Sequence, residues 1–156
     1  MSRIAKLDIM NSKETKALSA KVNEQWGAAL PQGYAFLKNR KGRVYMVREE
    51  AFRLEHRRLR IDSLGMYLGT LKDDGLRLSI EGSQLVGASA RKNMVDIEEA
   101  ELAAWLIGQD IELEGGAGEY VLVRHKGDML GCAKHKAGIL HNHMPKSRRA
   151  ETILSP

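Results

Sequence analysis

The chain has 156 residues, of which 43% are hydrophobic and 29% are charged, a composition typical of a soluble folded protein with a real core. No apolar run approaches the roughly 18–20 residues of a membrane span, and the N-terminus lacks the apolar stretch of a secretion signal. The single cysteine, Cys132, excludes an intrachain disulfide framework. These features predict a cytoplasmic protein with no membrane partner.

The charges are unevenly distributed. The formal net charge is +5, and residues 1–74 hold 15 Lys and Arg against 9 Asp and Glu. Further on, residues 96–119 hold eight acids and no Lys or Arg, whereas residues 120–156 hold seven Lys and Arg against two acids. Solubility alone does not require such segregation, so the basic segments indicate an anionic partner.

The first half of the chain begins with a predicted helix. Asn11 or Ser12 can cap it, and it runs to about Trp26, because Leu18, Val22 and Trp26 recur at every fourth residue. Residues 34–39 and 43–48 then form a predicted hairpin, followed by one or two helical turns and a return to strand before residue 72. This half contains two basic clusters, Lys38, Arg40, Lys41 and Arg43 in the hairpin and Arg57, Arg58 and Arg60 after it.

A turn at residues 72–75 separates two differently charged parts, and we place a domain boundary there, giving domains 1–74 and 75–156. The second part reads as a short strand, a short helix broken by Gly82 and Gly87, a strand, a helix over residues 98–108 and another strand. Residues 119–144 then form three strands joined by two tight turns. So many short strands are typical of a small β-barrel. The predicted class is therefore α+β, a small α/β domain followed by a barrel.

Enzymatic motifs are mostly absent, since the chain has no phosphate-binding glycine loop and no G-x-S-x-G elbow. The spacing of Cys132, His135, His141 and His143 could supply four zinc ligands. On a regular strand, however, Cys132 and His135 point to opposite faces. We therefore expect a packed cysteine, surface histidines, no metal and no cofactor, with a zinc-dependent enzyme as the less favoured alternative.

The basic clusters favour a nucleic-acid partner. Each Lys or Arg that neutralises a phosphate releases a counterion, so several clusters on one small domain would add to affinity. The four tyrosines are the only aromatic candidates near these clusters, and most are expected in the core. This pattern disfavours base stacking on single strands and favours reading of RNA shape and backbone.

Two stretches, residues 65–87 and 118–149, resemble the C-terminal RNA-binding appendage of the Nol/Nop/Sun-type rRNA cytosine-5 methyltransferases. In the second, Gly127, Leu130, Gly131 and Lys134 match G-x-x-L-G-x-x-K, and the segment from Asn142 to Arg149 matches N-H-x-P-K-x-x-R. The resemblance implies a small pre-PUA-like α/β piece followed by a pseudouridine synthase and archaeosine transglycosylase (PUA) barrel. It also implies RNA contacts for the polar members of the motif.

The methyltransferase domain of that family, with its Pro-Cys nucleophile motif, has no counterpart in this sequence. The prediction is thus a non-catalytic protein that binds structured rRNA or tRNA in ribosome biogenesis or RNA modification. The alternative is an adaptor that docks a separate methyltransferase or ribosome-assembly factor through the acidic residues 96–119. The predicted RNA-binding residues are Lys134, Lys136, Asn142, His143, Lys146, Arg148, Arg149, Arg57, Arg58, Lys41 and Arg43.

Overall fold

A computed structural model describes residues 7–51, 65–114 and 119–150, which include two five-stranded sheets and three helices whose full extent is described. The first sheet has the order β1-β2-β3-β4-β5 with antiparallel neighbours: β1 (Asp8–Ile9), β2 (Tyr34–Lys38), β3 (Arg43–Arg48), β4 (Met66–Lys72) and β5 (Gly75–Leu78). The second has the order β6-β8-β9-β10-β7: β6 (Met94–Asp96), β7 (Ile111–Glu112), β8 (Tyr120–His125), β9 (Asp128–Lys136) and β10 (Ile139–Asn142). The helices are α1 (Ser12–Trp26), α2 (Ile80–Gly87) and α3 (Glu99–Leu106), and a 3₁₀ turn covers Lys146–Arg148.

The predicted first helix is confirmed, together with its cap. Asn11 Oδ1 accepts from the Glu14 N–H at 2.9 Å, and the Glu14 carboxylate accepts from the Asn11 N–H at 3.2 Å. This capping box satisfies two of the free N–H groups at the helix start. Gly27 ends α1 in the left-handed conformation, with φ of 63°.

The predicted three-stranded meander is confirmed as β8, β9 and β10. Both of its turns use two residues with positive φ, Lys126-Gly127 at 46° and 86° and Ala137-Gly138 at 53° and 75°. Two consecutive left-handed residues match the right-handed twist of the flanking strands, which explains why each turn closes in so few residues. The first predicted hairpin is likewise confirmed as β2 and β3.

The prediction that Gly82 breaks the second helix is wrong, since α2 continues through it. The reason is packing against β4. A Cβ atom on Gly82 would lie 2.0 Å from the Leu68 carbonyl oxygen, so only glycine lets the helix approach the strand this closely.

The two sheets share one apolar cluster. It contains Val22 and Trp26 from α1, Leu68 and Leu76 from the first sheet and Leu122 from the second, all fully buried. A buried hydrogen bond crosses the same contact, from Trp26 Nε1–H to the Tyr120 carbonyl at 3.1 Å. A second cluster lies on the other face of the β8–β9 pair, beneath α3. The core therefore runs continuously from α1 into the second sheet.

The predicted mixture of helices and strands is confirmed at this level, but a closed barrel is not seen within the described residues, where β6 and β7 form the edges of an open sheet. The predicted domain boundary after Asp74 falls in the turn of the β4–β5 hairpin, and the division stays a prediction. Most of the helical turns predicted after residue 48 lie outside the described residues, as do Arg57 and Arg58. Within the described ranges, no helix has the length and apolar character needed to cross a membrane.

Candidate nucleic-acid interface

The segment after β10 is held in place by Asn142. Its Nδ2 donates to the Trp105 carbonyl at 2.9 Å and to the Gln109 carbonyl at 3.1 Å, while its Oδ1 accepts from the Met144 N–H at 2.8 Å. These bonds use both amide hydrogens and tie the segment to the C-terminal end of α3. Asn142, predicted to contact RNA, thus has a clear positioning role, and direct contact with RNA stays a prediction.

This segment forms one wall of a cleft of about 310 Å³, whose other walls come from β3, β4 and β5 of the first sheet and from α2, α3 and β9. Residues distant in sequence therefore meet here. Its lining residues include Arg43, Tyr67, Arg77, Glu81, Trp105, Gly131, His143 and Arg148. Of the predicted RNA-binding residues, the cleft brings Arg43, His143 and Arg148 together.

Two arginines at the cleft have no carboxylate partner within the part of the chain that the structure describes. Arg43 is exposed, and its guanidinium carbon lies 5.6 Å from the centre of the Tyr67 ring. The Tyr67 ring also packs against Tyr45, with ring centres 5.5 Å apart. Arg77 Nη1 lies 3.5 Å from His143 Nδ1. A planar cation stacked on an aromatic ring keeps its hydrogen-bond donors available for an anion.

The third arginine, Arg148, is already paired, because its Nη1 donates to Glu81 Oε1 at 2.5 Å. Burial is the largest single influence on Glu81 and opposes its ionisation. The hydrogen bond from Arg148, a backbone hydrogen bond and the charge of Arg148 together outweigh burial and hold the pKa of that carboxyl below its usual value. Burial and the positive charge of Arg77 lower the pKa of His143. At neutral pH the positive charge of the cleft therefore comes from its arginines, with His143 neutral.

The floor of the cleft contains a buried donor without an acceptor. Trp105 is 1% exposed, and its Nε1–H has no hydrogen-bond partner among the described residues. A buried N–H left unpaired costs about 1–3 kcal/mol, so most such groups are satisfied by protein, water or ligand. The other tryptophan, Trp26, follows that rule.

Lys134 forms part of a contact between the two sheets. Its ammonium pairs with Asp74 in the β4–β5 turn, and the Tyr120 hydroxyl donates to the same carboxylate at 2.7 Å. The hydrogen bond from Lys134, followed by that from Tyr120, lowers the pKa of Asp74. An RNA phosphate would have to compete with this carboxylate for Lys134.

The remaining predicted cations that the structure describes do not line the cleft. Lys136 and Lys146 are exposed, as is Lys41 in the β2–β3 turn, where its N–H donates to Asn39 Oδ1 at 2.9 Å. Arg149 is half-buried and donates from Nε to the Met144 carbonyl at 3.3 Å. Arg57 and Arg58 lie outside the described residues, so their place relative to the cleft stays a prediction.

Arg77 and Trp105 line the cleft but were absent from the prediction. Arg77 alternates with the inward-facing Leu76 and Leu78 on β5, a pattern that marks it as facing away from the core. The signal for Arg77 was thus in the sequence. For Trp105 there was none, since helical spacing assigns its ring to the core and cannot show that the N–H lacks an acceptor.

The four possible zinc ligands have separate environments. Cys132 is buried, and burial raises the pKa of its thiol to about 12. His135 Nε2 donates to the Leu113 carbonyl at 2.9 Å, whereas His141 Nδ1 lies 3.3 Å from Asp110 and His143 lies beside Arg77. Within the described ranges no group of three or more potential ligands could hold a metal ion.

The acidic segment proposed as a docking surface is partly engaged within the second sheet. Asp96 forms two hydrogen bonds with Arg124, at 2.7 and 3.0 Å, and the bond from Arg124 lowers the pKa of Asp96. Glu99 contacts Lys126 at 3.0 Å and His125 at 3.2 Å. Less unpaired negative charge is therefore available in this segment for docking a partner protein, which weakens the adaptor alternative.

Comparison with known proteins gives a family-model match and matches to individual relatives. Residues 92–150 match the family model described as "Methyltransferase RsmF PUA domain". Over 137 residues, the chain is 28% identical to the ribosomal RNA small subunit methyltransferase F of Aeromonas hydrophila, covering 86% of this chain and 28% of that protein. The protein of the same name from Shewanella sp. strain MR-4 is 26% identical over 159 residues, covering 92% of this chain and 31% of its own length.

The chain thus spans less than a third of the length of these curated relatives. The matched region begins just before β6 and ends just after the 3₁₀ turn, so it contains the second sheet, α3 and the wall of the cleft formed by residues 143–148. The resemblance predicted from the motifs is confirmed: residues 92–150 are similar to the PUA domain of an rRNA methyltransferase family.

Proposed function

We propose that this protein binds structured RNA through the cleft and the basic residues around it and has no catalytic step of its own. The observation that carries the proposal is the match of residues 92–150 to a methyltransferase PUA domain. The relatives' name refers to small-subunit ribosomal RNA, and we propose this RNA as the binding partner. The role would lie in ribosome biogenesis or rRNA modification, and the free thiol of Cys132 fits a reducing cytoplasm.

The electrostatics of the cleft support this proposal. Arg43 and Arg77 keep their guanidinium groups free of carboxylates within the described residues, and Lys146 lies exposed on the 3₁₀ turn next to the cleft. Phosphate oxygens are the natural partners of such groups, because an arginine can donate two parallel hydrogen bonds to one phosphate. The half-buried Tyr67 gives the cleft an aromatic surface as well.

A salt titration tests the proposal. The chain is titrated into a fluorescent transcript of small-subunit rRNA at several salt concentrations, beside a variant that combines Lys146→Ala, Arg148→Ala and Arg149→Ala. Each lost phosphate contact should weaken binding and reduce the slope of log affinity against log salt by about 0.7–0.9. Thermal unfolding of both proteins shows whether the fold is kept.

The matched control is a double variant, Lys13→Ala with Lys16→Ala, on the exposed surface of α1. It also removes positive charge, but from a helix that does not line the cleft. If affinity for the transcript at modest salt is unchanged in the folded triple variant, or falls as much in the control for each charge removed, the proposed interface is wrong.

A further inference from the structure

The turn between β4 and β5 is held against α1 and the second sheet. The side-chain amide of Gln25 forms two hydrogen bonds with the Leu76 backbone, accepting from its N–H at 2.8 Å and donating to its carbonyl at 3.0 Å. A Cβ on Gly75 would lie 2.9 Å from Gln25 Oε1 and 3.2 Å from Tyr120 Cδ2. The backbone of the turn therefore packs directly on a side chain of α1 and a side chain of β8.

A charged contact joins the same turn to the second sheet. The Asp74 carboxylate accepts a hydrogen bond from the Tyr120 hydroxyl at 2.7 Å and pairs with the Lys134 ammonium, which also lies 5.9 Å from the centre of the Tyr120 ring. The side chains of Asp74 and Lys134 are 30% and 31% exposed, so most of the contact is covered by protein. Asp74 thus has one partner on β8 and one on β9.

The two members of this ion pair lie next to two walls of the cleft. Arg77 follows Asp74 by three residues and lines the cleft from β5, and Cys132 precedes Lys134 by two residues and lines it from β9. Residues two apart on a strand point to the same face, so Lys134 and Cys132 share a face of β9. The Asp74–Lys134 pair therefore connects the start of β5 to β9, the two strands that carry Arg77 and Cys132 into the cleft.

Asp74 has the wrong charge for direct contact with RNA. Its carboxylate repels phosphate and neutralises Lys134, so by electrostatics alone it lowers the affinity of this surface for RNA. Holding β5 in place has the opposite effect, because an Arg77 that is already in position loses less conformational freedom when it meets a phosphate. Direct electrostatics and positioning therefore predict opposite signs for the removal of this carboxylate.

We propose that Asp74 and Lys134 form a positioning pair, which holds the β5 wall of the cleft against the second sheet so that Arg77 is in place for RNA. Lys134 then contributes to RNA binding through Asp74, and not through a phosphate contact of its own. This inference rests on the proposed RNA-binding function, and it gives a different role to one of the residues predicted to contact RNA.

RNA affinity tests the sign of the effect. Asp74→Asn keeps the shape of the side chain and an acceptor for the Tyr120 hydroxyl, and Lys134→Met keeps the length of the side chain without its charge. Both variants and their combination are titrated with the small-subunit rRNA transcript at several salt concentrations, and thermal unfolding shows that each is folded. Each single variant should bind roughly three- to tenfold more weakly, the effect of one misplaced hydrogen-bonding group. The double variant should bind no more weakly than the weaker single variant, and Lys134→Met should keep the salt slope of the wild-type protein.

Glu14→Gln is the matched control. Glu14 is also a partly exposed carboxylate paired with a lysine of another element, Lys38, but neither residue lines the cleft. Glutamine can take the place of glutamate in the capping box at the start of α1. The control should bind RNA as tightly as the wild-type protein or slightly more tightly. Tighter binding by Asp74→Asn, or a salt slope reduced by about 0.7–0.9 in Lys134→Met, would make Lys134 a phosphate contact and overturn the positioning pair.

A measurement without RNA separates this inference from the proposed function. Burial and the charge of Arg77 lower the pKa of His143, and the other charged groups that act on it are His141, Asp110 and Lys72. If Asp74 holds β5 in place, Asp74→Asn lets Arg77 move away from His143 and raises this pKa. Loss of the negative charge by itself would lower the pKa or leave it unchanged. NMR titration of the imidazole signals measures it, with His143→Gln to assign them.

The two measurements have separate outcomes. A His143 pKa that is unchanged or lower in Asp74→Asn overturns the positioning role, whether or not RNA binds. If the pKa rises but the wild-type protein does not bind the transcript, the proposed function fails, and the role of the pair in RNA binding fails with it. A raised pKa together with weaker RNA binding by both single variants is the result that we expect.

Discussion

The side of the second sheet that carries β6 and α3 differs from the cleft in how its charges are arranged. Near β6 and α3, Asp96 pairs with Arg124, and Glu99 lies beside both His125 and Lys126. At the cleft, Arg43 and Arg77 have no carboxylate partner among the described residues. In the first region acidic and basic side chains pair with each other. In the second, Arg148 pairs with Glu81, but Arg43 and Arg77 keep their positive charge without a carboxylate among the described residues.

The difference shows that a dense charge pattern in sequence is a poor guide to a binding surface. Exposed ion pairs contribute little to stability and leave little net field for a partner. A few arginines without carboxylates, gathered in a cleft, produce a stronger local potential for an anion than a longer run of paired charges. Four experiments test this contrast.

Asn142→Ala should have the largest effect, because Asn142 joins the two regions by connecting the end of α3 to the wall of the cleft. The change removes three hydrogen bonds, of which the one to the Trp105 carbonyl is partly buried, so we expect a loss of about 2–3 kcal/mol in the free energy of unfolding. Urea denaturation measures it. His141→Ala is the control, since its contact with Asp110 is partly exposed. If both variants lose the same small amount of unfolding free energy, Asn142 does not position the segment.

Removing the cleft arginines should lower RNA affinity without comparable loss of stability. Arg43→Ala with Arg77→Ala should weaken binding to the rRNA transcript by about tenfold or more, because charge-assisted hydrogen bonds are among the stronger polar contacts. Arg124→Ala is the single-charge control from the opposite region, where Asp96 already neutralises the cation. If Arg124→Ala lowers RNA affinity as much as Arg43→Ala alone, paired and unpaired cations do not differ in their contribution to binding.

The pairing around His125 should make stability depend modestly on pH. The hydrogen bond to the Ile97 carbonyl, together with Glu99, raises the pKa of His125 above its usual 6.5. The protonated form therefore adds stability that is fully present below about pH 6.5 and is lost as pH rises through the folded-state pKa. Glu99→Gln should reduce the melting temperature more at pH 5.5 than at pH 8.5. Glu112→Gln, at an exposed acid of β7, should show no such difference.

The Cys132 thiol should not react with an alkylating reagent in the folded protein. Although it lines the cleft, it is 5% exposed, and burial raises the pKa of its thiol to about 12. We expect no alkylation by iodoacetamide at pH 8 in the folded protein and complete reaction in urea, measured by mass spectrometry. Rapid reaction in the folded state would show that the floor of the cleft is more open than the structure indicates and would revive a chemical role for this thiol.

Local features were predictable from sequence because they depend on neighbouring residues. The capping pattern at Asn11 and the turn residues near Gly127 each determine structure within a few positions. The cleft was not predictable, since Arg77 lies on β5, Trp105 on α3 and His143 in the segment after β10. The amide of Asn142 matches a family motif, but its bonds to the carbonyls of Trp105 and Gln109 depend on how β10 meets the end of α3.

The buried hydrogen bond from Trp26 to the Tyr120 carbonyl makes the second sheet depend on α1. A PUA-like region cut away from α1 would lose the donor for a carbonyl that the rest of the fold keeps from water. It would also open the side of β8 that carries Leu122, now covered by Val22 and Trp26. The second sheet therefore cannot be transferred alone, and grafting it onto another protein would require a substitute for α1.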